Sequence, residues 1–160
     1  MKQWISSDLP VLQQESSPIF DGFTAIGVAM SLYASHWQYE AWSVATWLKR
    51  VIPFFQHQQL RLFLTEDNVP YGLATWLYLD EAQHQYMLQQ ANWQTFEKIM
   101  SSDEIWAPRK SNRYLWLADF ITPFSHALFA TEELQAQFSN CKSAWVLNQN
   151  PDQALARRVW

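Results

Sequence analysis

One cysteine and three glycines occur in the 160 residues. A single Cys141 excludes an intramolecular disulfide and any cysteine-based zinc site. Glycine this sparse leaves no glycine-rich phosphate loop and no Gly-x-Ser-x-Gly elbow, and no two histidines have the i, i+4 spacing of a helical metal pair. There is no apolar run near the length of a bilayer span, and the N-terminus has neither the basic start nor the apolar middle of a signal peptide. A cytoplasmic chain without an integral membrane segment is the expectation. Lys and Arg total 11 against 15 Asp and Glu, a net charge of −4 without a continuous basic stripe, which argues against nucleic acid as a partner.

Aromatic residues are what the chain has in excess. Ten Trp and ten Phe exceed what one core of this size needs. Two explanations stand: a core that happens to be aromatic, or a groove for an apolar ligand or a partner surface. At 49% hydrophobic the chain is long enough for one domain with a proper core and too short for two.

Along the chain, residues 1–21 mix Ser, Gln and Pro without periodicity and read as an N-terminal arm, leaving 22–160 as the domain. From Phe23, Ile26, Ala29, Met30, Tyr33 and Trp37 recur at helical spacing, ending near Ser35 to Tyr39. A second helix has Trp42, Ala45, Leu48, Val51 and Ile52 on one face, Lys49 and Arg50 near its C-terminal end, and Pro53 at or just beyond it. Leu60–Leu64 and Tyr71–Leu79 read as a hairpin, its turn Thr65-Glu66-Asp67-Asn68 closed by Asp67 and Asn68 side chains, with Pro70 at the entry of the second strand. Glu81–Met100 reads as helix broken near Asn92, and Ser101–Asn112 as a loop. A strand over Leu115–Phe124 stops at Pro123. Thr131 is then expected to cap a helix over Glu132–Phe138, followed by strands Ser143–Leu147 and Ala154–Trp160 around a turn at 148–152. Such an order gives an α+β domain built on a mixed sheet.

Asp119 is out of place. It stands alone among Leu115, Trp116, Leu117, Ala118, Phe120 and Ile121, where a carboxylate loses hydration worth several kcal/mol unless something pairs with it. Two readings are open: an anchor for the turn before Pro123, or a carboxylate that orients or charges a catalytic partner. Of the histidines, His57 and His84 lie in Gln-rich contexts that read as solvated, and His126 reads as a cap or loop residue. His36 lies at the junction of two apolar helices, between Ser35 and Trp37.

Several segments resemble a known family. They are Leu32-Tyr33-Ala34-Ser35 before Trp42, Val51-Ile52-Pro53, Leu64-Thr65-Glu66-Asp67-Asn68 with Pro70, Ala74-Thr75-Trp76, and Ala118-Asp119-Phe120-Ile121 with Pro123-Phe124. Their order resembles the toxin-activating lysine acyltransferases, which attach fatty acyl groups to lysines of RTX toxins. The match runs from about Gly27 to Phe124, more loosely to the C-terminus, and is nearly ungapped to Leu79. The resemblance implies a single GNAT-like domain with a central, mostly antiparallel sheet flanked by helices, in which the hairpin and the Asp119 strand share one sheet. It also implies an acyl group taken from acyl carrier protein rather than from a free thioester, an RTX protoxin as substrate, no bound cofactor and no metal; it admits a homodimer.

The family's catalytic pair is a His and an Asp. Its Asp falls on Asp119. Its His falls on Tyr39 in an ungapped alignment, with His36 three residues earlier, so the implied catalytic residues are His36 and Asp119 if the helix junction is rebuilt. If it is not, the chain is a catalytically impaired relative that binds toxin or acyl carrier protein. Lys49, Arg50, Arg61, Arg109, Lys110 and Arg113 are candidates for docking the acidic carrier, or ordinary solvated charges.

Overall fold

The computed structural model describes residues 22–90, 92–106, 113–147 and 156–160. The expected arm, the loop stretch with Arg109 and Lys110, and the turn at 148–152 lie outside these. The elements are α1 (Gly22–Ala34), α2 (Val44–Gln56), β1 (Leu60–Leu64), β2 (Pro70–Leu79), α3 (Glu81–Gln89), α4 (Trp93–Met100), β3 (Tyr114–Ile121), α5 (Ala127–Gln137), β4 (Ser143–Leu147) and β5 (Ala156–Arg158). The strands form one five-stranded sheet in the order β1-β2-β3-β4-β5. β1 pairs antiparallel with β2 and β4 with β5, while β3 and β4 run parallel, with α5 as the crossover that parallel neighbours require. The fold is therefore α+β with a mostly antiparallel sheet, and the hairpin and the Asp119 strand do share it. No described helix is long and apolar enough to cross a membrane.

Two compact units are distinguished. One contains the described residues up to Thr75 together with Ile121–Ala130; the other contains Trp76–Phe120 and Thr131–Trp160.

In the first unit, α1 buries Ala25, Ala29, Leu32 and Tyr33. Trp37 falls outside that face, at 71% exposure, because α1 ends at Ala34 and a short 3-10 turn, Trp37–Tyr39, replaces the continuing helix. Ser43 caps α2 through its side chain, which accepts from Thr46 N, and the stripe that goes inward is Trp47, Val51 and Phe54. The expected face of Ala45 and Leu48 is exposed instead. Pro53 does not end this helix but lies within it, so Lys49 and Arg50 are a turn or more short of the C-terminus. An internal proline weakens a helix by about 3 kcal/mol, and full burial of Phe54 and Val51 on the same stripe is large enough to offset that.

The hairpin turn is closed by Thr65 rather than by Asp67 and Asn68. Thr65 Oγ1 accepts from Val69 N at 3.1 Å and Thr65 N donates to Val69 O at 3.0 Å. Asn68 contributes its backbone, at φ 61°, a left-handed conformation that asparagine tolerates. The β1/β2 register shifts between Phe63 and Leu64, opposite Gly72 and Pro70, leaving Tyr71 as the extra residue of a bulge. A Cβ on Gly72 would meet Ile121 O at 2.7 Å and Thr122 Cγ2 at 3.0 Å. Gly72→Ala should therefore destabilise the protein by about 1–3 kcal/mol, read as a lower urea midpoint at unchanged slope.

In the second unit, β2 and β3 continue as strands buried on nearly every residue, with Leu77, Leu79, Leu115, Trp116, Leu117 and Ala118 inaccessible. Asp80 and Gln83 form a capping box at the start of α3, and Asn92 caps α4, so the helical stretch is broken where its sequence suggested. α5 begins four residues before Thr131. Ser125 at φ 66° reverses the chain after Pro123, and His126 O accepts the first helical bond from Ala130 N at 3.2 Å. Thr131, Glu132 and Glu133 are thus inside the helix, not at its N-terminus. β5 ends at Arg158, short of the expected Trp160, although Val159 N still bonds Ala144 O at 2.7 Å beyond its end.

Candidate active site

His36 is built by the way α1 stops. Ser35 turns back on the helix, its N and Oγ both bonding Ser31 O at 3.0 and 2.8 Å, and His36 follows with extended backbone as the cap of the 3-10 turn. Its Nδ1 accepts from Gln38 N at 3.4 Å, a long bond near the geometric limit. Since Nδ1 is the acceptor, the neutral ring carries its proton on Nε2. In a 3-10 turn residues three apart eclipse one another, which brings Tyr39 to His36 with ring centroids 5.5 Å apart. The Trp37 ring is nearly parallel to the imidazole, with centroids 6.2 Å apart.

Tyr39 is 6% exposed and belongs to an aromatic cluster centred on Tyr33. Tyr33 meets Tyr39 edge-on at 4.9 Å, stacks on Trp42 at 5.8 Å and meets Trp47 edge-on at 5.9 Å, while Arg50 lies over Trp42 at 4.8 Å. Part of the aromatic surplus is thus core: Trp47, Trp76 and Trp116 are all buried. Arg61 likewise lies over the ring of Phe63. His126 packs against Tyr71 at 5.1 Å and precedes α5, the loop or cap position expected for it, whereas His57 is exposed.

Asp119 is in β3, 1% exposed, between Ala118 and Phe120. A carboxylate that dry must be held by polar neighbours or a countercharge, because the desolvation of an ion is several kcal/mol even after relaxation. His36 and Tyr39 belong to the first unit and Asp119 to the second.

His84 is not the solvated residue that its Gln-His-Gln-Tyr context suggested. It is 4% exposed, its Nδ1 accepts from Trp116 Nε1 at 3.0 Å, and its ring stacks on Tyr114 at 3.7 Å. The signal was its position three residues before Met87, on the inward face of α3. Burial lowers its pKa, against the nearby Glu81 carboxylate, which raises it; Lys142 adds to the lowering. In the same unit, burial first and the neighbouring Cys141 second push the Tyr78 phenol up to about 12, so it is neutral across the physiological range.

One mostly antiparallel sheet that holds both the hairpin and the Asp119 strand is what the sequence resemblance implied. Residues 19–160 match the RTX toxin acyltransferase family, and the chain belongs to it. Among its relatives, the RTX-III toxin-activating lysine-acyltransferase ApxIIC of Actinobacillus pleuropneumoniae is 27% identical over 120 residues. That alignment covers 75% of this chain and 63% of the relative, so the matched part spans less than two thirds of the relative's length.

Proposed function

We propose that this protein is a toxin-activating protein-lysine acyltransferase, moving a fatty acyl group from acyl carrier protein to internal lysines of an RTX protoxin in the cytoplasm. The observation that carries the reading is the family match over nearly the whole chain. It runs from residue 19 to residue 160. In the reaction the lysine amine attacks the thioester carbonyl; the C–N bond forms, the C–S bond breaks, and the carrier's thiolate leaves. A protonated amine is no nucleophile, so a base must remove its proton and an acid must return one to the thiolate. His36 is assigned that exchange, and Asp119 the role of orienting the imidazole and stabilising its charged form, as in other His-carboxylate pairs.

The test is mass spectrometry of the protoxin after incubation with this protein and acylated carrier protein. Lysine peptides heavier by the acyl group support the reading, and an unmodified protoxin that nevertheless co-purifies with the protein supports the second one, a binding relative without activity. One observation favours that second reading: Tyr39, at the position on which the family's histidine falls, is packed into the Tyr33 cluster.

A further inference from the structure

His84 lies outside the chemistry assigned to His36 and Asp119, yet its ring is buried and closely engaged in the second unit. Two side-chain bonds join α3 to β3. Tyr114 OH donates to Glu81 Oε2 at 2.6 Å, and Trp116 Nε1 donates to His84 Nδ1 at 3.0 Å. An indole N–H can only donate, so the second bond exists only while Nδ1 keeps its lone pair and the proton resides on Nε2. The rings of Tyr114, Trp116 and Trp145 surround the imidazole, at 3.7, 5.9 and 5.5 Å between centroids. Of these three, Trp116 and Trp145 never titrate.

The groups that do titrate or carry charge around it are Glu81 from α3, Tyr114 from β3, and Lys142 from the segment before β4. Lys142 Nζ is 3.8 Å from Glu81 Oε2 and lies over the Tyr114 ring at 5.3 Å. The hydrogen bond from Tyr114 holds the Glu81 carboxyl below its ordinary value, so this first tie stays made at pH values where a histidine gains its proton. The second does not. A proton on Nδ1 removes the acceptor and sets two donors face to face at 3.0 Å.

We propose that the His84–Trp116 pair is an acid-operated latch, which holds α3 against β3 while His84 is neutral and lets α3 go when His84 takes up a proton. The direction in pH follows from which state binds the proton. Released, His84 titrates near its ordinary value of 6.5; latched, burial holds it lower. The latched state is therefore fully favoured above about 6.5, and the preference is lost as pH falls from there toward the latched-state value, tenfold for each pH unit.

Hydrogen exchange of the full chain at pH 7.5 and 5.5, corrected for intrinsic exchange, tests this. Protection of α3 should fall on acidification, by at most about tenfold, while that of β1 stays level. His84→Gln should abolish the difference, since its Oε1 still accepts from Trp116 but cannot titrate. Equal α3 protection at the two pH values in the unaltered protein, or the same acid loss in His84→Gln, overturns the proposal. If His84→Gln does not fold, the unaltered protein decides through its ring nitrogens by NMR. The latch requires the Nε2–H form at neutral pH and a titration that coincides with α3 opening; a ring that titrates while α3 stays closed ends it.

Discussion

Replacing Asp119 by Asn should lower acyl transfer by about 10²–10⁴-fold and leave the fold nearly unchanged. The side chain sits in a strand that is covered along its length, at 1% exposure, so neither shape nor volume has room to change. Asparagine keeps both and loses the charge. A charge that orients an imidazole is needed most when the imidazole becomes positive, during proton transfer, so the loss should fall on kcat more than on KM. Rates are measured by the appearance of acylated lysine peptides, and folding by circular dichroism and thermal unfolding on the same sample. Undiminished activity would remove Asp119 from the mechanism. A variant that unfolds would make the carboxylate the anchor of the turn before Pro123, the other reading open from the sequence.

That Asp119 stood out at all shows which features of this chain are legible before folding. One carboxylate within an apolar run is conspicuous because burial acts on it alone. The strands were legible for a related reason. β1 and β4 begin and end where alternation and flanking turn residues place them, and the α3/α4 break falls at Asn92 because a capping asparagine advertises itself. Elements whose limits depend on partners far along the chain were not. Pro53 continues α2 because Phe54 is buried beyond it, and α5 starts early because a left-handed Ser125 turns the chain after Pro123. His84 was misread for the same cause: glutamines on either side describe the outward faces of α3, while its own side chain faces Trp116. Nothing in composition or spacing singles out His36 as a base. Only the family resemblance does, and it points to Tyr39 as readily.

His36→Ala should abolish measurable transfer, and Tyr39→Phe should leave it within a few-fold of the unaltered protein. The second substitution keeps the ring that meets Tyr33 at 4.9 Å and Trp42 at 4.8 Å, so its packing is preserved. His36 also caps the 3-10 turn, and removal of a cap alone can destabilise a helix by about 0.5–2 kcal/mol. His36→Asn separates the two roles, because an asparagine oxygen can still accept from Gln38 N but cannot act as a base near neutral pH. If His36 works as the base, both variants are inactive. If it is only a cap, His36→Asn is active. The bond from Gln38 is no obstacle to the base role: at 3.4 Å it contributes no more than the low end of the usual 0.5–1.5 kcal/mol, so Nδ1 can release it. The reverse pattern is equally definite. A phenol, with a reference pKa near 10, is a poor base at neutral pH but a competent donor to a developing oxyanion. Activity that survives His36→Ala and is lost in Tyr39→Phe would move the catalytic assignment to Tyr39.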